Sequence, residues 1–135
     1  MRLRNARKAE SPQILNLAKK LELDYSGMDA DDFLVADDSR KIVGICGLKK
    51  HEDCLELCSL GVDESYRKRG LGKKLVVGVL KKARGEVYLA TVIPDFFRKF
   101  GFEKSPQIPL SMVKKSDWCL GCKKELCTIM VKKPK

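Results

Sequence analysis

A single α/β domain built on a mixed sheet is what this sequence predicts, and three observations predict it. The chain has 135 residues, enough for one core and short of two ordinary domains. Short apolar or alternating runs recur between turn signals, which marks strands, while two longer stretches place apolar residues at helical spacing. The resulting order, β α β β β α β α β, belongs to an α/β domain and differs from a regular βαβ array.

Each element has its own justification. "MRLRNARKA" alternates weakly and reads as an opening strand. Ser11-Pro12 predicts a helix start, with Ser11 as cap and Pro12 at the first helical position. Ile14, Leu15, Leu17, Ala18 and Leu21 then give the helical face, with Lys19 and Lys20 outside it. "DYSGMDADD" breaks the pattern with Gly27 and four aspartates and reads as a loop or a short frayed helix. "FLVADDSRKIVGICGLKK" reads as a hairpin that turns at "DDSR", and "CLELCSLGV" as a further strand reached by a turn at "KHED". After "YRKRG", Leu71, Leu75, Val79 and Ala83 share one helical face, widened by Val76 and Leu80. "EVYLATV" is a buried strand, and "IPDFFRKF" a short helix with Pro94 near its start and Gly101 at its end. "LCTIMVK" is the last strand.

Composition narrows the function. Lys and Arg total 28 against 18 Asp and Glu, a formal charge of +10, which favours an anionic partner: a phosphorylated cofactor, an acidic substrate or nucleic acid. No apolar run approaches the roughly 20 residues that span a bilayer. "MRLRNARKAES" has no apolar core of a secretory signal, so the expectation is a cytoplasmic protein with no membrane partner. Six cysteines in such a chain are expected as thiols or metal ligands rather than a disulfide framework. His51 is the only histidine, which excludes any site needing two. Cys119, Cys122 and Cys127 form C-x₂-C-x₄-C, three of the four ligands zinc normally takes. Zinc, a disulfide and free thiols all stay open there, and no metal is assigned.

"YRKRGLGKK", Tyr66 to Lys74, concentrates five positive charges and two glycines where a strand gives way to a helix. The first-turn N–H groups of a helix lack intrahelical partners, and the macrodipole makes that end positive. Glycines let a phosphate approach those groups closely, so the stretch reads as a pyrophosphate cradle. It is not a P-loop, because Gly72-Lys73 is followed by Lys74 where a hydroxyl belongs. It is not a Rossmann turn, because Leu75 stands where the third glycine belongs. The spacing that fits is R-x-x-G-x-G, from Arg67 through Gly70 to Gly72.

Arg67, Gly70 and Gly72 resemble the acetyl-CoA motif of the GNAT superfamily of N-acetyltransferases. "SLGVDESYRKRGLGKKLV" is similar to that superfamily's strand, bulge, pyrophosphate loop and helix, and "FFRKFGF" to its late helix ending in Gly-Phe. The resemblance runs from about Arg2 to Val131, and the order of elements agrees with it. "FFRKFGFE" and "SDWCLGCKKELCTIMV" further resemble the short N-acetylglutamate synthase-like group. The resemblance implies a GNAT fold, a central mixed, mostly antiparallel twisted sheet flanked by helices, with residues 1–135 as one N-acetyltransferase domain. It implies acetyl-CoA as a substrate and direct attack by a small amine, such as an amino acid like glutamate, in a ternary complex. Backbone groups of Leu60 and Val62 would pair with the pantetheine arm, with a bulge at Gly61. The N–H groups of Lys68, Arg69, Gly70, Leu71, Gly72 and Lys73 would hold the pyrophosphate, and Arg67 would orient the loop. Glu56 would be the general base. Phe97 stands where many members carry a tyrosine acid; it would pack on the pantetheine, so that the acid role is absent or passes to water. Because family members commonly pair, a homodimer is implied.

Other readings stand beside these. Glu56 on a strand beside a cleft also fits a substrate-binding or solvated residue. Histidine titrates near neutral pH, but the turn position of His51 predicts a surface residue. Arg2, Arg4, Arg7, Lys49, Lys50 and Arg98 are candidate anchors for a substrate carboxylate, and no spacing rule selects among them. "DYSGMDADD" is a candidate lining of the acceptor site. A protein N-terminal or lysine acetyltransferase is the alternative function. A nucleic-acid-binding module is a further one, although aromatic and basic residues do not interleave as a stacking platform requires.

Overall fold

The computed structural model describes residues 1–23, 28–109, 111 and 128–133. The strands are β1 (Arg2–Asn5), β2 (Phe33–Asp38), β3 (Lys41–Lys50), β4 (Leu55–Val62), β5 (Val87–Thr91), β6 (Glu103–Lys104) and β7 (Thr128–Lys132). The helices are α1 (Ser11–Lys20), α2 (Leu71–Lys82) and α3 (Pro94–Arg98). All seven strands join one sheet in the order β1-β2-β3-β4-β5-β7-β6. The β4–β5 pair is parallel, while β1–β2, β2–β3, β5–β7 and β6–β7 are antiparallel. This is the mixed, mostly antiparallel sheet the sequence predicts. The addition is β6, whose two residues are too few to show a period. Cys119, Cys122 and Cys127, and the Asp24–Gly27 part of the acidic loop, lie outside the described residues.

The chain divides into two compact units, and β4 changes unit between Glu56 and Leu57. The first unit comprises Met1–Lys49 and Leu57–Lys82. Its β2 and β3 read as continuous apolar runs because both faces are covered. Ile14, Leu17 and Ala18 of α1 cluster with Phe33 and Val35 of β2 and with Ile42 and Ile45 of β3. The intervening residues meet α2. A Cβ on Gly78 would lie 2.5 Å from Leu34, and one on Gly44 would lie 3.0 Å from Leu75. Those small residues let α2 sit close on the sheet. The hairpin turn is tighter than "DDSR" suggests, since β2 continues through Asp38 and only Ser39 and Arg40 turn. Both have positive φ, 50° and 74°, as a two-residue hairpin turn requires.

Ser11 does not cap α1. A 3₁₀ turn at Lys8–Glu10 runs straight into the helix, so Ser11 is already helical and Glu10 takes the cap position. Glu10 is held there by its carboxylate, which accepts from the Arg7 backbone N–H at 2.8 Å and from Arg4 at 2.6 and 2.8 Å. Arg4 also donates to Asp37 at 3.1 Å, joining β1, the turn and β2 in one network.

The second unit comprises Lys50–Glu56 and Ala83–Lys135. Val87 and Leu89 of β5 and Met130 of β7 are buried with Phe97 and Phe102. Phe97 meets Phe96 and Phe102 edge to face, with centroids 5.0 and 5.9 Å apart. Gly101, at φ +95°, ends the α3 segment as predicted.

The Glu10 network makes a prediction about acid. Hydrogen bonding to Arg4, ahead of its other contacts, lowers the Glu10 pKa from 4.5 to about 2. A depressed folded-state pKa stabilises above the unfolded value, and that contribution disappears as pH falls from about 4.5 toward 2. Glu10→Gln should therefore cost roughly 1–2 kcal/mol at pH 7 by urea denaturation. The gap to the wild type should close across that acidic window.

Candidate active site

The segment after β4 is tied at both ends. The Asp63 backbone N–H donates to the Val43 carbonyl at 2.7 Å. The Asp63 carboxylate accepts from the Ser65 backbone N–H at 3.1 Å, capping the 3₁₀ turn Glu64–Tyr66, and from Lys20 at 3.3 Å. The Ser65 bond, with help from Lys20, holds the Asp63 carboxyl below its usual pKa. Next, the Tyr66 hydroxyl donates to Asp38 at 2.7 Å, fastening the loop to the β2–β3 hairpin and raising the tyrosine pKa. The Arg69 guanidinium lies 5.1 Å from the Tyr66 ring centroid. Arg67 Nε donates to the Val62 carbonyl at 3.1 Å, so its side chain folds back on the strand end. None of the Tyr66 contacts carries a motif, and sequence reasoning missed them.

Two left-handed residues then turn the chain into α2: Lys68 at φ +67° and Gly70 at φ +73°. The Gly70 carbonyl accepts the first helical bond, from the Lys74 N–H at 3.1 Å. The N–H groups of Leu71, Gly72 and Lys73 therefore precede the helical ladder and have no intrahelical acceptor by position. A Cβ on Gly70 would meet nothing within 4 Å, so the glycine answers to its φ and to open space in front of the helix. Arg67, Lys68, Arg69, Lys73 and Lys74 are all exposed around this end.

In the strand before the loop, where a bulge is expected at Gly61, the positive φ falls on Ser59, at +54°. Gly61 sits under α1's trailing segment, where a Cβ would lie 2.6 and 2.7 Å from Leu23 and Leu21. Leu60, Gly61 and Val62 are half-buried. The described β4–β5 register covers Leu55 and Glu56, two of the eight residues of β4.

The second unit holds its own candidate residues, Glu56 and His51. Glu56 is 2% exposed, and its Oε1 lies 2.8 Å from His51 Nε2. The expectation that His51 is a surface residue is overturned: its side chain retains 12% exposure and is turned inward. The cause is the turn itself. The His51 N–H donates to the Cys54 carbonyl at 2.9 Å, closing the β3–β4 connection and carrying the ring back onto β4. An i, i+5 spacing carries no contact rule, so only the tightness of "HEDCLE" hinted at the pairing. Phe97 is buried in the aromatic cluster described above. Among the candidate carboxylate anchors, Arg4 is engaged by Glu10 and Asp37, and Arg98 by Asp95. Arg2, Arg7 and Lys50 are exposed and Lys49 is half-buried.

Comparison with known proteins identifies the class. The profile of the acetyltransferase (GNAT) family matches residues 2–102, and the chain belongs to that family. It is 28% identical over 102 residues to a Chlorobaculum tepidum protein described as the uncharacterized N-acetyltransferase CT2212, covering 70% of this chain and 64% of that one. Among solved structures, N-acetylglutamate synthase from Neisseria gonorrhoeae, complexed with coenzyme A and N-acetyl-glutamate, superposes with a TM-score of 0.77 at 17% identity. That match covers 98% of this chain and 34% of the other. Rv2747 from Mycobacterium tuberculosis, in complex with CoA, gives a TM-score of 0.75 at 22% identity and covers both chains fully, 100% of each. At these identities the superpositions establish the shared fold.

Gly70 provides a test of the loop geometry. Gly70→Ala adds a methyl into open space but holds an L-residue at positive φ, which costs roughly 1 kcal/mol. We expect a thermal midpoint lower by a few degrees with the native circular dichroism retained.

Proposed function

We propose that this chain is an acetyl-CoA-dependent N-acetyltransferase whose acceptor is a small amine, an amino acid such as glutamate being the preferred class. The observation that carries the reading is the start of α2. There three backbone donors without an intrahelical acceptor, a left-handed glycine with open space at its Cβ position and five exposed cations fall within eight residues. That chemistry suits a pyrophosphate, and the family supplies a substrate that contains one.

The roles follow residue by residue. Backbone N–H groups from Lys68 to Lys73 receive the pyrophosphate, and Arg67 keeps the loop against Val62. Leu60 and Val62, past the two-residue register with β5, offer strand edges to the pantetheine. One lone pair of the Val62 carbonyl already serves Arg67, so its second one and the N–H are what remain for a ligand. Glu56 takes the ammonium proton, and the neutral amine attacks the thioester carbon. Phe97 supplies apolar packing. No hydroxyl stands at its position, so water protonates the leaving thiolate. Residues 1–135 act as one catalytic domain in the cytoplasm.

Two measurements test this. Isothermal calorimetry with CoA should show Gly72→Asp weakening binding by roughly tenfold or more, because a carboxylate enters the pyrophosphate position. Unchanged affinity in the folded variant would remove the basis of the reading. Thiol release from acetyl-CoA should then be followed with glutamate, glutamine, spermidine and a short peptide. Glutamate should give the higher kcat/KM of the first two, since a site built around a carboxylate leaves its cation poorly paired with an amide. Equal rates, or activity only on the cationic amine or peptide, would overturn the glutamate preference and leave the transferase standing.

A further inference from the structure

Acetylation that starts from an ammonium releases one proton per turnover. R–NH₃⁺ and acetyl-CoA give R–NH–acetyl, CoA–SH and H⁺. A C–N bond forms, a C–S bond breaks, one amine proton ends on the thiol, and the ammonium proton must reach solvent. On the reading given above, that proton first goes to Glu56. The Glu56 side chain is 3% exposed, so its direct contact with bulk water is small.

We propose that His51 is the exit: a proton relay that takes the proton from Glu56 through Nε2 and hands it to solvent. The inference rests on the acetyltransferase reading and on Glu56 as its base. Three features of the pair support it. The Nε2···Oε1 distance of 2.8 Å suits a hydrogen bond in both protonation states. With Glu56 ionised the imidazole Nε2–H donates. Once Glu56 is protonated, its O–H proton can pass to Nε2 only with the ring proton on Nδ1. Each cycle therefore first moves that ring proton from Nε2 to Nδ1 through solvent, and the imidazolium then formed releases its Nδ1–H to water. The exposures are graded outward, 3% for the Glu56 side chain and 12% for that of His51. The His51 backbone is fixed by its bond to Cys54, so the ring is held in place rather than reaching Glu56 by chance. An imidazole is also the one side chain that exchanges protons readily at neutral pH.

Among the described residues, Cys54, Tyr88 and Asp53 do not compete for the role. Burial, and then the charges of Asp53 and Glu56, push the Cys54 thiol up to about 11. Burial and Glu86 raise the pKa of Tyr88, the register partner of Glu56 on β5. Both are therefore protonated near neutral pH and cannot accept a proton from Glu56. Asp53, at the turn, is drawn to Ser111, and its carboxyl pKa is lowered by that bond.

The test uses the whole chain and the fastest acceptor of the amine panel. His51→Gln keeps a hydrogen-bond donor toward Glu56 but cannot carry a proton. We expect its kcat to fall roughly tenfold or more, with the KM for acetyl-CoA within about twofold of the wild type. Free imidazole should raise the kcat of His51→Ala in a concentration-dependent way, which a merely structural role would not produce. Because His51 is the only histidine, its imidazole N–H resonance can be assigned by its loss in His51→Gln. That resonance should lie downfield in the wild type and move upfield in Glu56→Gln. An unaltered kcat in His51→Gln, with Glu56→Gln impaired, overturns the relay and leaves Glu56 as base. Unaltered kcat in both variants overturns the base and the relay together. No thiol release by the wild type with any amine overturns the transferase reading beneath them.

Discussion

The start of α2 is the constraint on which the rest of this structure depends. A helix whose first donors have no acceptor is ordinarily capped by a side chain or solvated. Here the residue in the cap position is Gly70, which has no side chain to offer. The nearest acidic cap, Asp63, is spent on the preceding turn and on Lys20. Electrostatically the junction is unfavourable to itself, since five exposed cations repel one another and the positive end of the helix dipole. An anion relieves all of these at once. The close seating of α2, through its Gly78 on Leu34 and its Leu75 on Gly44, and the fastening of Tyr66 to Asp38 keep that end in position without filling it.

The second constraint is the burial of Glu56. A carboxylate at 2% exposure is costly unless hydrogen-bonded, and His51 supplies one bond at 2.8 Å. An apolar residue at this strand position would serve packing better. The acid sits in β4, the strand that leads to the loop proposed to receive the pyrophosphate. One strand thus carries the proposed base at its beginning and the proposed cofactor contacts at its end.

Much of this was legible in the sequence, for identifiable reasons. The R-x-x-G-x-G spacing depends on local backbone geometry, and the left-handed φ of Gly70 and the helix start at Leu71 are local. Continuous apolar runs at "FLVA" and "KIVGICGL" announced strands covered on both faces. What failed was non-local. The packing of Leu21 and Leu23 against Gly61 joins residues distant in sequence, so no local pattern announced it. The cap of α1 moved because Arg4, six residues earlier, holds Glu10. His51 looked like a turn residue because its partner is recognised only once the turn closes.

The most direct test of the central claim is a titration of the ¹⁵N-labelled protein with CoA, followed by amide chemical shifts. The account predicts that the largest shifts fall on Gly70, Leu71, Gly72 and Lys73, with smaller ones at Leu60 and Val62. It further predicts that inorganic pyrophosphate moves the first group and leaves the second in place. Shifts confined to other elements, or none in the first turn of α2, would contradict it.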